Sequence, residues 1–197
     1  YGVTANMIRD TGWHMIEAGR YLERGLQLCE LLTAGLAEKH DARATRDVLE
    51  AVLLASESVV TYRRRYRGSV RASDVLDLLL LDGSNPRSLA FALTELRTHL
   101  AAMPASTGSS RAERLLDHLD TEVAGIDVTA LVAVSAASGA ASGGGPVGGT
   151  ARRGALVDYL AHVTEQLERL SDAGQMKRAL FLCDRDELRR QALGGEV

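Results

Sequence analysis

The sequence has few of the residues and runs that mark several classes of protein. Only two cysteines, Cys29 and Cys183, occur among 197 residues, and no histidine lies near either at ligand spacing, so neither a disulfide framework nor a zinc site is predicted. No stretch reaches the roughly 20 consecutive apolar residues that cross a bilayer. The formal net charge of −3 offers no general attraction for nucleic acid. We therefore expect a cytoplasmic protein with neither a membrane nor nucleic acid as its partner.

Alternating β-branched runs are also absent, whereas apolar residues recur at spacings of three and four, the period of a helix. This pattern predicts an all-α, multi-helix bundle. The predicted helices cover residues 10–39, 44–66, 75–81, 86–100, 112–134 with a bend near Gly125, and 153–171, followed by a shorter amphipathic tail. In the first helix Ile16, Leu28 and Leu31 lie opposite the main apolar stripe, so we expect contacts on more than one of its faces.

A stretch rich in glycine and serine divides the chain. Residues 135–150 cannot bury enough apolar area to offset the entropy of ordering them, which predicts a flexible linker between a bundle over residues 1–134 and C-terminal helices over residues 151–197. We expect those helices to pack back on the bundle. The glycines of this stretch lack the lysine and the preceding strand of a phosphate-binding loop, so no cofactor is predicted there.

Most enzymatic motifs are missing, and three polar clusters remain as candidates. The first contains Arg20 and Arg24 on a face of the first helix that also carries Trp13, with Glu23 flanking that face. Helical spacing places the two arginines together with carboxylates beside them. One interpretation is a solvated face with weak intrahelical ion pairs, and the other is an enclosed polar site.

The second cluster is an arginine-rich run at the end of the predicted second helix. Five arginines fall within nine residues, and Tyr62, Arg63 and Tyr66 lie at one-turn spacing or next to it. Arginines at a helix C-terminus suit the helix dipole, which is the structural interpretation. They also form a surface whose guanidinium groups match carboxylate or phosphate. Tyrosine stacking on RNA is a third possibility, which a steep salt dependence of binding would reveal.

The third cluster is the turn that contains Asp82, Asn85 and Arg87. Asn85 followed by Pro86 predicts a helix cap and first turn. A cation in the first turn of a helix opposes the dipole, so we expect Arg87 to have a carboxylate partner or a ligand.

Three segments in this order and spacing resemble the bacterial alpha-E family, an all-helical group named for its Glu-Arg motif. They are Gly19-Arg20-Tyr21-Leu22-Glu23-Arg24, Val60-Thr61-Tyr62-Arg63-x-Arg65-Tyr66, and Val75-Leu76-Asp77-Leu78-Leu79 leading to Asn85-Pro86-Arg87-Ser88-Leu89. The resemblance covers Met7 to about Leu100. Family members carry an earlier Arg-Tyr-x-Glu-Arg run, and no copy precedes Gly19. The resemblance therefore implies that this chain is the C-terminal part of a larger alpha-E domain or the last part of a fused polypeptide.

The resemblance further implies partnership with a circularly permuted ATP-grasp protein and a transglutaminase-like protein, in a system of peptide ligation and processing. ATP and Mg²⁺ would then belong to a partner or neighbouring domain, and this chain would bind no cofactor itself. Whether the chain catalyses a reaction stays open.

We hypothesise that arginines and tyrosines from separate helices line one anion-binding pocket that accepts a small carboxylate-bearing, phosphorylated or peptide substrate. The residues of this hypothesis are Arg20, Glu23, Arg24, Tyr62, Arg63, Tyr66, Asp82, Asn85 and Arg87. Glu23 and Asp82 would orient the arginines, and Tyr62 would position the ligand. The alternative is a structural or protein-interaction bundle in which these residues form a buried ion-pair network.

Overall fold

Helices make up the architecture of the computed structural model, which describes residues 7–103, 110–133 and 153–174. No strand occurs among those residues, and the all-α prediction is confirmed. The elements are α1 (Thr11–Leu36), α2 (Ala42–Ala55), α3 (Val59–Arg65), α4 (Ala72–Leu76), a π-helical segment (Asp77–Leu81), α5 (Leu89–Ala101), α6 (Arg111–Ala124), α7 (Val128–Val132) and α8 (Gly154–Gly174).

The long helix α1 is the centre of the bundle. It begins at the N-cap Asp10, whose carboxylate accepts from the Trp13 amide, and it packs against α2, α5 and α8. Ile16 and Leu28 are buried on the face opposite the main stripe, which confirms the expected contacts on several faces. The core around α1 is mostly leucine, and each fully buried leucine contributes about 2 kcal/mol.

The stretch predicted as one helix over residues 44–66 is in fact two helices, α2 and α3. The amide of Ser58 donates to the Leu53 carbonyl and the amide of Glu57 to that of Leu54, at 2.8 and 3.0 Å. These bonds form a Schellman cap that ends α2. Glu57 takes the left-handed conformation, with φ of 52°, where glycine is usual. The prediction missed this break because no glycine or proline marks it.

The apolar segment after α4 widens into a π-helical turn. The amide of Asp82 donates to the carbonyl of Asp77, five residues earlier, at 3.1 Å. Its central leucines are fully buried because the segment packs against α5 and α6; they are Leu78, Leu79 and Leu80. This burial agrees with the nearly continuous apolar sequence of the segment.

Helix α5 begins later than Asn85 and Pro86 predicted. Its N-cap is Ser88, whose hydroxyl accepts from the Phe91 amide at 3.1 Å. Asn85, Pro86 and Arg87 form the turn before the cap, so Arg87 is outside the first helical turn. The dipole argument made for Arg87 from the sequence was therefore wrong, because the capping hydroxyl lies three residues beyond the predicted cap.

The predicted helix over residues 112–134 is likewise divided, with Gly125 as the C-cap of α6 and a separate α7. Helix α8 packs against α1, α6 and α7. Just before it, buried Arg153 donates from its guanidinium to the carbonyls of Leu36 and Glu38 at 2.8 and 2.9 Å. These bonds satisfy orphan carbonyls at the end of α1. The predicted linker and C-terminal tail lie outside the described residues, and no described helix is long and apolar enough to span a membrane.

Candidate functional site

A cleft lined by several of the predicted site residues lies between α2, α3 and the loop that follows α3. Its volume is about 550 Å³. Arg63 and Arg67 line it from one side, and within the described residues neither forms an ion pair with a carboxylate. The other lining residues are Glu50, Ala51, Leu53, Leu54, Val59, Tyr62, Tyr66, Gly68 and Val70. The cleft therefore joins two available guanidinium groups to a largely apolar wall.

Two tyrosines form the inner part of this wall. The rings of Tyr62 and Tyr66 stack with centroids 4.9 Å apart and planes inclined by 28°. The Tyr62 hydroxyl donates to Asp74 at 3.4 Å, and the Tyr66 hydroxyl donates to Asp77. Burial, together with these carboxylates, raises the pKa of both phenols. Both hydroxyls are protonated donors already engaged by protein groups, so the tyrosines line the cleft with ring atoms, and Tyr62, which is 2% exposed, contributes little surface to it.

Asp82 is buried on the far side of α3, and its partner there is Arg65, not Arg63. Its carboxylate also accepts from the amide and the hydroxyl of Ser84 at 3.0 and 2.7 Å. Burial alone would raise the pKa of Asp82, but the Ser84 and Arg65 hydrogen bonds outweigh it and lower the pKa. Nearby Asn85 is 3% exposed and donates from its amide to the Leu78 carbonyl. Both predicted site residues therefore serve to hold the turn.

A second, smaller recess of about 170 Å³ contains Arg24 and Arg87. Arg87 donates to the carboxylate of Glu57, which supplies the acidic partner predicted for it. Arg24 lies over the Tyr21 ring, 5.0 Å from its centroid, and donates to the Pro86 carbonyl at 3.4 Å. The recess is smaller than the usual pocket for a drug-sized ligand, and one of its two cations is already neutralised.

The single pocket predicted from the sequence is thus divided in the structure. Arg24 and Arg87 share the smaller recess, whereas Tyr62, Arg63 and Tyr66 share the α2–α3 cleft. Arg20 is on the exposed face of α1 in an ion pair with Glu17 at 3.0 Å, and Glu23 is exposed. The prediction failed because α1 and α3 present their arginines to different neighbours, which helical periodicity cannot specify.

Several residues of these sites were missed from the sequence. The only sequence feature that points to Glu57 is the serine on each side of it, because serines favour local backbone turns. Arg67 belongs to the arginine-rich run and could have been included. Glu50 and Leu54 carry no signal, because a charged and an apolar residue one turn apart are ordinary on an amphipathic helix. In the part of the chain that the structure describes, no group of three or more histidine, cysteine, aspartate or glutamate residues could hold a metal.

Most of the chain matches the model of one known protein family. The alpha-E family model, described as a predicted alpha-helical domain with a conserved ER motif, matches residues 2–176. The chain belongs to the alpha-E family. This confirms the resemblance inferred from the three sequence segments, and the all-helical fold agrees with the description.

Curated relatives of this alpha-E chain are mycobacterial. Uncharacterized proteins of Mycobacterium bovis and of Mycobacterium tuberculosis are 43% identical to it over 118 residues. The matched segment covers 60% of this chain but only 13% of each relative, so the relatives are much longer proteins. No solved structure matches the chain at a significant level.

Proposed function

We propose that this chain is the helical component of an ATP-grasp-associated amide-ligation system and that its α2–α3 cleft holds the anionic group of the substrate. The observation that carries the proposal is the pair of arginines, Arg63 and Arg67, that line one cleft without a carboxylate partner among the described residues. The association with an ATP-grasp protein comes from the family resemblance.

Electrostatics favours an anion at this position. A guanidinium group presents donors in a planar fork that matches carboxylate and phosphate oxygens. Two such groups in a cleft with apolar walls attract an anion more strongly than they would on an open surface, because less water screens them. Arg65, by contrast, already has Asp82 as its partner, so it has little remaining capacity to attract a ligand.

The tyrosines support the proposal by shaping the cleft. Since Asp74 and Asp77 hold the two hydroxyls, the stacked rings are fixed in one orientation beside Arg63. Fixed walls reduce the entropy lost when a ligand binds. Positioning and charge stabilisation are enough to assist an acyl-phosphate step on a partner enzyme, and the proposal assigns ATP, Mg²⁺ and a cytoplasmic setting to that partner system.

A structural role is the second candidate, and one observation favours it for part of the cluster. Three side chains of this run donate to carboxylates: Tyr62 to one on α4, Tyr66 to one on the π-helical segment, and Arg65 to one just after that segment. This network connects α3 to the following segment. Arg63 and Arg67 lie outside it, so the structural role and the binding role belong to different residues of the same run.

The test is an ATP-consumption assay with the ATP-grasp protein co-purified with this chain. Replacing both Arg63 and Arg67 by alanine removes the cleft cations, and we expect chain-dependent ATP turnover to fall about tenfold or more. Arg64→Ala is the matched control because Arg64 is exposed on the same helix and outside the cleft. Turnover that is unchanged in the double variant, or equally reduced in the control, would contradict the proposal.

A further inference from the structure

The α2–α3 cleft contains two residues that anion binding alone does not use. Glu50 and Leu54 lie one turn apart on α2 and both line the cleft. Leu54 is 71% exposed, one of the few large apolar side chains among the described residues that the core does not cover. Glu50 is exposed and forms no ion pair with any described residue. Neither residue contributes to the core, so core packing does not explain why these residue types occur at the cleft.

The size of the cleft indicates a ligand larger than a single ion. A volume of about 550 Å³ is within the range of roughly 300–1,000 Å³ typical of sites for drug-sized ligands. Its lining includes the apolar side chains of Leu53, Leu54, Val59 and Val70. A bare phosphate or carboxylate would leave this apolar surface in contact with water, whereas a ligand with an apolar body would cover it.

The charges in the cleft have both signs. Arg63 and Arg67 attract an anion, but Glu50 in the same cleft repels one. A phosphate group, with nearly two negative charges at neutral pH, suffers this repulsion most. A ligand that carries a separate cation can place it beside Glu50 and gain from all three residues.

We propose that the α2–α3 cleft binds a zwitterionic ligand with an apolar body, the chemistry of a short apolar peptide with free ends. Its carboxylate binds Arg63 and Arg67, its ammonium group binds Glu50, and an apolar side chain packs on Leu54. This inference rests on the proposed function for the location of the site, and it replaces the choice between carboxylate and phosphate by a single class of ligand.

The test uses four probes in calorimetric titrations of the full chain: leucyl-leucine, its N-acetyl derivative, its C-terminal amide, and inorganic pyrophosphate. We expect leucyl-leucine to bind about three- to tenfold more tightly than either derivative, since each derivative loses one charge pair in a partly exposed site. Leu54→Ser should weaken the binding of leucyl-leucine and of both its derivatives.

Variants assign each charge to a residue. Glu50→Gln should weaken leucyl-leucine but leave the N-acetyl derivative unchanged, and Arg63→Gln should weaken leucyl-leucine but leave the amide unchanged. Asp47→Asn is the control, because Asp47 is an exposed acid on α2 outside the cleft. The four substituted positions are all exposed, so we expect the variants to fold. Circular dichroism checks this.

The outcomes separate the two proposals. If pyrophosphate binds more tightly than leucyl-leucine, and Glu50→Gln strengthens it, the zwitterion inference is overturned while the anion site stands. If no probe binds, or if Arg63→Gln changes none of the affinities, both proposals fail.

Discussion

Arg63 and Arg65 lie two residues apart on α3 and meet opposite surroundings. Arg65 donates to Asp82, a carboxylate whose side chain is only 7% exposed, whereas Arg63 faces the α2–α3 cleft with no carboxylate partner among the described residues. Two residues along an α-helix correspond to a rotation of about 200°, so residues at this spacing lie on nearly opposite faces. The comparison shows that one arginine-rich run has divided its charges between holding the fold and facing solvent.

The largest expected effect comes from removing the acidic end of the structural side. Asp82→Ala leaves two Ser84 donors and Arg65 without their acceptor, and we expect the free energy of unfolding to fall by about 2 kcal/mol. Urea denaturation measures this. Arg63→Ala is the comparison and should change stability by less than about 0.5 kcal/mol. Equal losses in the two variants would remove the distinction between the two sides of α3.

A milder change affects the structural side where it adjoins the cleft. Tyr66→Phe deletes the hydroxyl that donates to Asp77 but keeps the stacked ring. We expect a loss of about 1 kcal/mol in stability with no change in the affinity of cleft ligands. Thermal denaturation and calorimetric titration of the same sample test both parts. A weaker ligand affinity at unchanged stability would show that the hydroxyl faces the ligand.

The strained Glu57 sharpens the comparison with the smaller recess. Glu57→Gly relieves the cost of the left-handed backbone at φ of 52°. It also removes the ion pair with Arg87, in which the Glu57 side chain is 68% exposed. Since exposed pairs contribute about 0–1 kcal/mol and the backbone strain costs about 1 kcal/mol, we expect a net gain of about 0.5 kcal/mol in urea denaturation. A clear loss would mean that the recess depends on this carboxylate.

The smallest effect is expected in the acid limb of the stability profile. The pKa of Asp82 is lowered in the folded state, so its contribution is present above the ordinary value of 3.8 and is lost as the pH falls below it. Asp82→Asn cannot titrate and should flatten the profile in that window. Arg63→Ala should leave the profile parallel to that of the unmodified chain. Parallel profiles for Asp82→Asn and the unmodified chain would contradict the lowered pKa.

Helical periodicity predicted most of the fold, because a bundle helix must bury one stripe whatever its neighbours are. It placed the ends of α1 and α8 to within about three residues. Periodicity did not predict two helix ends. The end of α2 depends on Glu57 adopting a conformation that glutamate rarely takes, and the start of α5 depends on the cap at Ser88. Both Asn85 and Ser88 are residues that favour helix N-caps, and periodicity alone does not choose between them.

The candidate site was less predictable than the fold. The residue types were identified, but the grouping of Arg63 with Arg24 and Arg87 was wrong because it required knowing which helices are neighbours. Contacts over long sequence separations show the same limit: the Nδ1 atoms of His14 and His99 lie 3.0 Å apart, although the two residues are 85 positions apart in the chain. Burial, together with the neighbouring His14, lowers the pKa of His99.

The π-helical turn has a consequence for how the arginine-rich run is divided. An α-helix advances about 100° per residue, so deleting one leucine between Asp77 and Asp82 would restore ordinary helical winding and swing the Asp82 carboxylate through roughly a quarter turn, away from Arg65. One residue of chain length between Asp77 and Asp82 thus decides whether Arg65 keeps a carboxylate partner.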